Sequence, residues 1–222
     1  MASRWWRRGL IALGLVLALV ALVVVEVSVH RLSPFERQLL AAAPASARAA
    51  GCTDVEVVKP YPGGDDRAHI GSGASLQVAP PLSSYPSIPP ASGPHDPVPL
   101  AAGIYGNPPP ISRAIHSLEH AAVIVWYDPA AATSPDLARI KTFFAQGKER
   151  NHVIVAPYSY PTQDTAGKLP ADRQMALVAW HHLQYCDRPA LPVAFGFVES
   201  YRFNLYQRGS YRGDAPERYA PI

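Results

Sequence analysis

Residues 116–120 read His-Ser-Leu-Glu-His, which places two histidines four positions apart with Glu119 beside the second. This H-x-x-E-H pattern supplies two zinc ligands in one group of metalloproteases. Four residues of α-helix rise about 6 Å, so the imidazoles of a helical His116 and His120 can reach one ion. On a β-strand the two residues lie about 13 Å apart, too far for a shared metal. The motif therefore predicts a metal site only if residues 116–120 are helical.

Two histidines do not complete such a site, because a tetrahedral metal centre takes three or four protein ligands. His69 and His95 lie upstream, in a stretch where residues 60–110 contain thirteen of the chain's 24 prolines. Proline excludes a helix there and disfavours an interior strand, but the stretch has enough apolar residues to pack as an ordered loop. Long loops within a compact domain are usually functional. The alternative is that these histidines only form hydrogen bonds with buried loop backbone.

The segments after the motif predict the elements that must position it. Ala121–Asp128 is a β-branched and aromatic run typical of a buried strand, so a helical His-Ser-Leu-Glu-His must end just before it. Further along the chain the patterns predict an amphipathic helix at residues 136–150 and a second strand at residues 152–157. They also predict a third strand or short helix at residues 175–185 and a last helix at residues 189–203. The order β-α-β-β-α predicts an α+β domain with a small mixed sheet.

The N-terminal region predicts a membrane anchor over residues 9–29. Its uncharged run from Gly9 to Val25 is long enough, as a helix of about 26 Å, to cross most of a bilayer core of about 30 Å. Arginines at positions 4, 7 and 8 precede the run, which predicts a cytoplasmic N-terminus and an extracytoplasmic main domain. A cleaved signal peptide is the alternative, but no small-x-small cleavage site follows closely.

These observations divide the chain into five regions. We expect a cytoplasmic N-terminus at residues 1–8, a transmembrane anchor at residues 9–29, and a stalk formed by a short helix and a linker at residues 30–50. An extracytoplasmic α+β domain with the long Pro-rich loop follows at residues 51–203, and a flexible tail rich in Tyr and Arg at residues 204–222. The protein is thus predicted to be a single-pass protein of the cell membrane.

Cys52 and Cys186 are the two cysteines, and both fall on the predicted outer side. An even count in an oxidising compartment favours one disulfide bond. A pair of thiolate metal ligands is the alternative, although the CxxC-like spacing of such ligands is missing. The net charge of +3 arises within residues 1–31, so the remainder is neutral and has no basic field for nucleic-acid binding.

Several of these segments together resemble the bacterial family called domain of unknown function 3105. The resemblance covers roughly residues 50–200 and lies in His69-Ile70, the Pro-Pro-Ala-Ser-Gly-Pro-His stretch ending at His95, Gly103-Ile104-Tyr105 and the His-Ser-Leu-Glu-His motif before its strand. Ala121 and His181 stand where we expect this family to have glycine. The resemblance implies an anchored outer domain and no established activity.

The resemblance also singles out four histidines as a ligand set: His69, His95, His116 and His120. All-imidazole ligation outside the cell suits copper or zinc. Glu119 would then accept a hydrogen bond from a ligand imidazole and fix its tautomer.

The sequence allows three alternative functions. The first is a membrane-anchored, extracytoplasmic protein that binds copper or zinc without catalysis. The second is a metallohydrolase with Glu119 as the base, although four histidine ligands leave no position for a reactive water. The third is a non-metal interaction module that contacts another envelope protein through the Pro-rich loop or the C-terminal tail.

Overall fold

The computed structural model describes residues 10–22, 32–71, 77–203 and 211–222. Residues 10–22 form an α-helix, α1, while the other residues of the predicted anchor, 9 and 23–29, lie outside the described residues. In the part of the chain that is described, no helix has both the length and the apolar character needed to span a bilayer. The anchor over residues 9–29 is therefore not confirmed and stays a prediction.

A mixed six-stranded sheet forms the centre of the domain, with strand order β1-β6-β5-β3-β4-β2. The β3–β4 and β4–β2 pairs are parallel, and the other neighbours are antiparallel. The strands, in chain order, are Glu56–Val57, Gly103–Ile104, Val123–Tyr127, Val153–Pro157, Met175–Ala179 and His182–Cys186. The predicted α+β class with a mixed sheet is confirmed.

Helices and the Pro-rich loop cover the two faces of this sheet. After α1, the α-helices are α2 to α6, at Pro34–Ala49, Ile111–Glu119, Pro135–Phe144, Gly147–Arg150 and Leu191–Tyr201. Along β3, Val123 and Val125 pack in the core formed with α4 and α6, while Ile124 and Trp126 pack in the core that includes α3 and the loop. Both faces of β3 are thus covered, which explains its continuous apolar sequence.

The Pro-rich loop is ordered where it is described, as expected. Leu82, Tyr85, Ala91 and Leu100 are buried in the same core as α3. The loop therefore forms one wall of the domain and can hold side chains against α3.

Several predicted elements differ from the observed ones. Residues 175–185, expected to be one strand or a short helix, form the antiparallel strands β5 and β6 with a reversal at Trp180-His181. The predicted helix over 136–150 is divided into α4 and α5. The short strands β1 and β2 were not predicted, because two residues produce no detectable periodicity.

The segment expected to be a short helix followed by a linker is instead the continuous helix α2, Pro34–Ala49. Ser33 and Glu36 form a capping box at its N-terminus, and α2 packs along α6. Small residues such as those in the second half of α2 suit a flexible linker, but they also allow two helices to approach closely.

Cys52 and Cys186 form a disulfide bond, as predicted. The bond ties the chain just after α2 to the end of β6. The alternative interpretation of these cysteines as thiolate metal ligands is therefore wrong.

Candidate metal centre

Helix α3 carries His116 and Glu119, and His120 is its C-terminal cap. The helical conformation that a metal shared by His116 and His120 requires is thus present. The helix ends in a Schellman motif, in which Ala122 N donates to Ser117 O (3.0 Å) and Ala121 N donates to Leu118 O (2.9 Å).

Ala121 adopts a φ of 61°, the left-handed conformation that usually requires glycine at this point of the motif. The turn forms despite the alanine and leads directly into β3. His120 is thereby held at the end of the helix, beside His116.

The Pro-rich loop contributes His69 and His95, which face each other across an isolated parallel bridge. Ile70 N donates to His95 O (2.8 Å), and His95 N donates to Ala68 O (2.9 Å). The imidazole centroids of His69 and His95 lie 5.0 Å apart, and those of His95 and His116 lie 4.8 Å apart. The loop thus delivers two imidazoles to the face of α3 that carries His116.

Backbone carbonyls determine which ring nitrogen of three histidines is free. The Nδ1 atoms of His95, His116 and His120 lie 2.8, 2.6 and 2.8 Å from the carbonyl oxygens of Gly93, Asp96 and Pro221. Because a carbonyl only accepts, each Nδ1 carries the donated proton, and Nε2 of the neutral ring keeps its lone pair. Metal-binding histidines are commonly oriented in this way.

Four side chains form what we call the inner cluster: His69, His95, His116 and Glu119. One ligand atom from each lies within 4.8 Å of all the others. Among the described residues, His69 Nε2, His95 Nε2 and Glu119 Oε2 are buried and have no hydrogen-bond partner. His95 Nε2 and Glu119 Oε2 lie 3.0 Å apart, but without the alignment of a hydrogen bond.

Unsatisfied buried polar atoms are costly, on the order of 1–3 kcal/mol each, and they are rare in native proteins. A cation held by the four side chains would give such atoms a partner. The side chains of the inner cluster therefore fit a metal ion.

A second group, the outer cluster, consists of His116, His120 and Glu217. Nε2 of His116 lies 2.9 Å from Nε2 of His120, which lies 3.4 Å from Glu217 Oε2. Both nitrogens are unprotonated in the neutral rings, so a proton or a metal ion must lie between them. Two nitrogen ligands of a tetrahedral zinc ion are about 3.3 Å apart, so the two rings would have to separate slightly to share one ion.

Arg67 links the two clusters. Its Nε donates to Glu119 Oε1 (2.5 Å), and its Nη2 donates to Glu217 Oε1 (2.7 Å). Burial disfavours the charged form of Glu119, but the neighbouring His95 and Arg67 outweigh burial and lower its pKa. Glu119 is therefore anionic at neutral pH. Burial also lowers the pKa of His116, which keeps its imidazole neutral and able to bind a metal.

The structure distributes the predicted ligands in an unexpected way. His69, His95 and His116 come together as the resemblance implies, whereas His120 groups with His116 and Glu217. Glu119, expected to hydrogen-bond a ligand imidazole, instead presents its own oxygen to the inner cluster.

Glu217 was not predicted, because it lies in the segment that we expected to be a flexible tail. Residues 211–222 instead pack against the site: Glu217 N donates to Glu119 O (3.1 Å), and Ala215 is buried. Residues 204–210 of that tail lie outside the described residues. A single glutamate in a Tyr- and Arg-rich segment carries no sequence signal for a ligand.

A protein-family model described as "Protein of unknown function (DUF3105)" matches residues 82–214, more than half of the chain. The match contains His95 and the whole His-Ser-Leu-Glu-His motif, whereas His69 and Glu217 lie outside it. No curated protein and no solved structure matches the chain.

Proposed function

This chain belongs to the DUF3105 family, whose function is unknown, and we propose that it binds zinc or copper at the inner cluster without catalysing a reaction. One observation carries the proposal: His69, His95 and Glu119 each have a buried side-chain atom without a hydrogen-bond partner, and they belong to a group whose ligand atoms lie within 4.8 Å of one another. Such an arrangement is unfavourable in a protein interior unless a cation occupies it.

The donor set argues for a borderline divalent metal. It consists of three imidazoles, from His69, His95 and His116, and the anionic carboxylate of Glu119. Imidazole suits Zn²⁺ and Cu²⁺, whereas Cu⁺ is selected by thiolate and thioether ligands. Both cysteines are in the disulfide bond, so neither provides a thiolate.

Two features argue for binding rather than catalysis. Three imidazoles and a carboxylate complete a tetrahedral shell, and a closed shell leaves no position for a reactive water. Glu119 also makes a poor general base, because its pKa is lowered and its second oxygen accepts from Arg67. The metallohydrolase alternative therefore receives no support from this geometry.

We further propose that the site faces the outside of the cell, on a domain anchored by residues 9–29. The disulfide bond between Cys52 and Cys186 supports this location, because such bonds persist mainly in oxidising compartments. A protein partner in the envelope stays an expectation from the sequence.

Elemental analysis of the purified full chain tests the metal proposal. The chain is stripped with a chelator, loaded separately with Zn²⁺ and Cu²⁺, and freed of excess metal. We expect equimolar metal in the wild type and a loss of most of it in His95→Gln. His182→Gln replaces a histidine outside both clusters and should retain the metal. Wild-type chain without stoichiometric metal, or His95→Gln with the same content as wild type, would refute the proposal.

A further inference from the structure

We infer that the metal reaches the inner cluster through the outer cluster, where His120 and Glu217 capture the ion before His116 passes it inward. This inference rests on the proposed function. It assigns a distinct role to two side chains, His120 and Glu217, that do not belong to the inner cluster.

The first argument is that the two clusters share a single ligand, His116. Its Nδ1 is committed to Asp96 O, so Nε2 is the one nitrogen that it can offer to a metal. A single lone pair binds one ion. The inner and outer clusters are therefore alternative positions for the same ion, and His116 can keep its bond while the other ligands change.

The second argument is a difference in exposure between the carboxylates of the two clusters, although His69 of the inner cluster is itself partly exposed. The side chains of His95 and Glu119 are 0% and 1% exposed, whereas the side chain of Glu217 is 41% exposed. His120 lies between them at 9%. A hydrated cation approaching from solvent meets the carboxylate of Glu217 first, and it loses water as it moves toward the buried ligands.

The third argument concerns how the outer cluster is held. The C-terminal segment of residues 211–222 supplies Glu217 directly and also orients His120, whose Nδ1 donates to Pro221 O. His120 Nε2 is thereby aimed at both His116 and Glu217. The C-terminal segment thus both completes the outer cluster and orients one of its two histidines.

Arg67 provides the fourth argument, because its guanidinium contacts the carboxylates of both Glu119 and Glu217. Its positive charge keeps the two carboxylates close together without strong repulsion. It also holds Glu217 at the rim, since the guanidinium lies between that side chain and Glu119. Glu217 is consequently placed to capture a metal ion, and Glu119 is placed to retain it.

Stopped-flow mixing of the metal-free full chain with Co²⁺ separates the two roles, because the ligand-field absorption of Co²⁺ reports its entry into the site. We expect Glu217→Gln and His120→Gln to slow association by about tenfold or more. The Kd should stay close to that of wild type, because entry and exit use the same route and both rates fall together.

Two further variants serve as comparisons. Glu119→Gln removes an inner ligand, so it should raise Kd mainly through faster dissociation. Asp136→Asn removes an exposed carboxylate on α4 and should leave both rates unchanged, which controls for a general loss of negative charge.

Three results would overturn the inference. An association rate of Glu217→Gln equal to that of wild type would show that the outer cluster is not on the route by which the metal enters. A rise in Kd equal to that of Glu119→Gln would make Glu217 a ligand of the final site. Two Co²⁺ ions per chain would show that the clusters are not alternatives. Absence of any binding by wild type would instead refute the proposed function itself.

Discussion

Raising the pH from 6.5 to 9 should destabilise the folded protein through His181, which lies outside both metal clusters. Its Nε2 lies 2.8 Å from Asp66 Oδ2, and its Nδ1 lies 2.8 Å from Asp214 Oδ2. Burial disfavours the imidazolium, but the hydrogen bonds and charges of the two aspartates outweigh it and raise the pKa of His181 to about 9. The ion pairs join the Pro-rich loop, the β5–β6 turn and the C-terminal segment.

The magnitude follows from linkage between protonation and folding. The pKa of His181 rises from 6.5 in the unfolded chain to about 9 in the folded one, and each unit corresponds to about 1.36 kcal/mol. The upper bound is therefore about 3 kcal/mol. Asp214 is half-exposed, so solvent screening reduces the expected contribution to roughly 2 kcal/mol. Because the folded pKa is raised, this stabilisation is complete below pH 6.5 and is lost as the pH rises through 9.

Urea unfolding of the chelator-treated chain at pH 6, 7.5 and 9.5 measures the effect. We expect wild type to lose about 2 kcal/mol of unfolding free energy between the lowest and highest pH. His181→Gln should be destabilised by a similar amount at pH 6 and should match wild type at pH 9.5. Asp214→Asn should show a smaller dependence, because one of the two aspartates remains.

Two other histidines affect this window little, and buried tyrosines such as Tyr158, Tyr160 and Tyr211, whose pKa is raised, lower the stability only as the pH approaches 10 and equally in wild type and His181→Gln. Burial lowers the pKa values of His116 and His152, so their effects on stability fall below pH 6.5. Equal unfolding free energies of wild type at pH 6 and 9.5, or an unchanged pH dependence in His181→Gln, would refute the reasoning.

Three further predictions concern the scaffold. Replacing Cys52 and Cys186 by serine should lower the unfolding free energy in urea by up to about 5 kcal/mol, because the bond closes a loop of 134 residues; an unchanged urea midpoint would contradict this. At Ala121, where φ is 61°, Ala121→Val should lower the unfolding free energy by more than about 2 kcal/mol in the same assay. Ala121→Gly should stay within about 1 kcal/mol of wild type, because relief of backbone strain offsets the lost burial of the methyl group. Equal stability of the two variants would contradict this prediction. Arg202→Met should lower the unfolding free energy by about 3 kcal/mol or more, measured by thermal unfolding, because the buried guanidinium pairs with Glu149 and donates hydrogen bonds to backbone carbonyls. A variant at least as stable as wild type would show that this pairing gives no net stabilisation.

Local sequence patterns predicted much of the scaffold. The β-branched run before Asp128 forms β3, the run after His152 forms β4, and residues 116–119 adopt the helix that the sequence permitted. These features depend on periodicity and steric preferences within about ten residues, which a single segment encodes. The patterns failed at residues 175–185, where a reversal at His181 with a φ of 56° divides one apolar run into two strands.

The two positions at which this chain lacks the expected glycine acquire a common explanation from the structure. Ala121 and His181 both have a φ near 60°, the region where glycine carries no steric penalty. At His181 the side chain forms two ion pairs that a glycine could not form. The resemblance to the family pointed to these two positions, but their conformation and contacts came from the tertiary structure.

The sequence by itself determined which side chains could bind a metal, since His69, His95, His116 and His120 are evident in the printed chain. Only the tertiary structure decided how they divide into clusters, and it added the carboxylates of Glu119 and Glu217 as candidate ligands. The reason is geometric. Helical spacing sets the distance between His116 and His120, whereas the approach of His69, His95 and Glu217 depends on a loop bridge and a C-terminal segment that pack from distant parts of the chain.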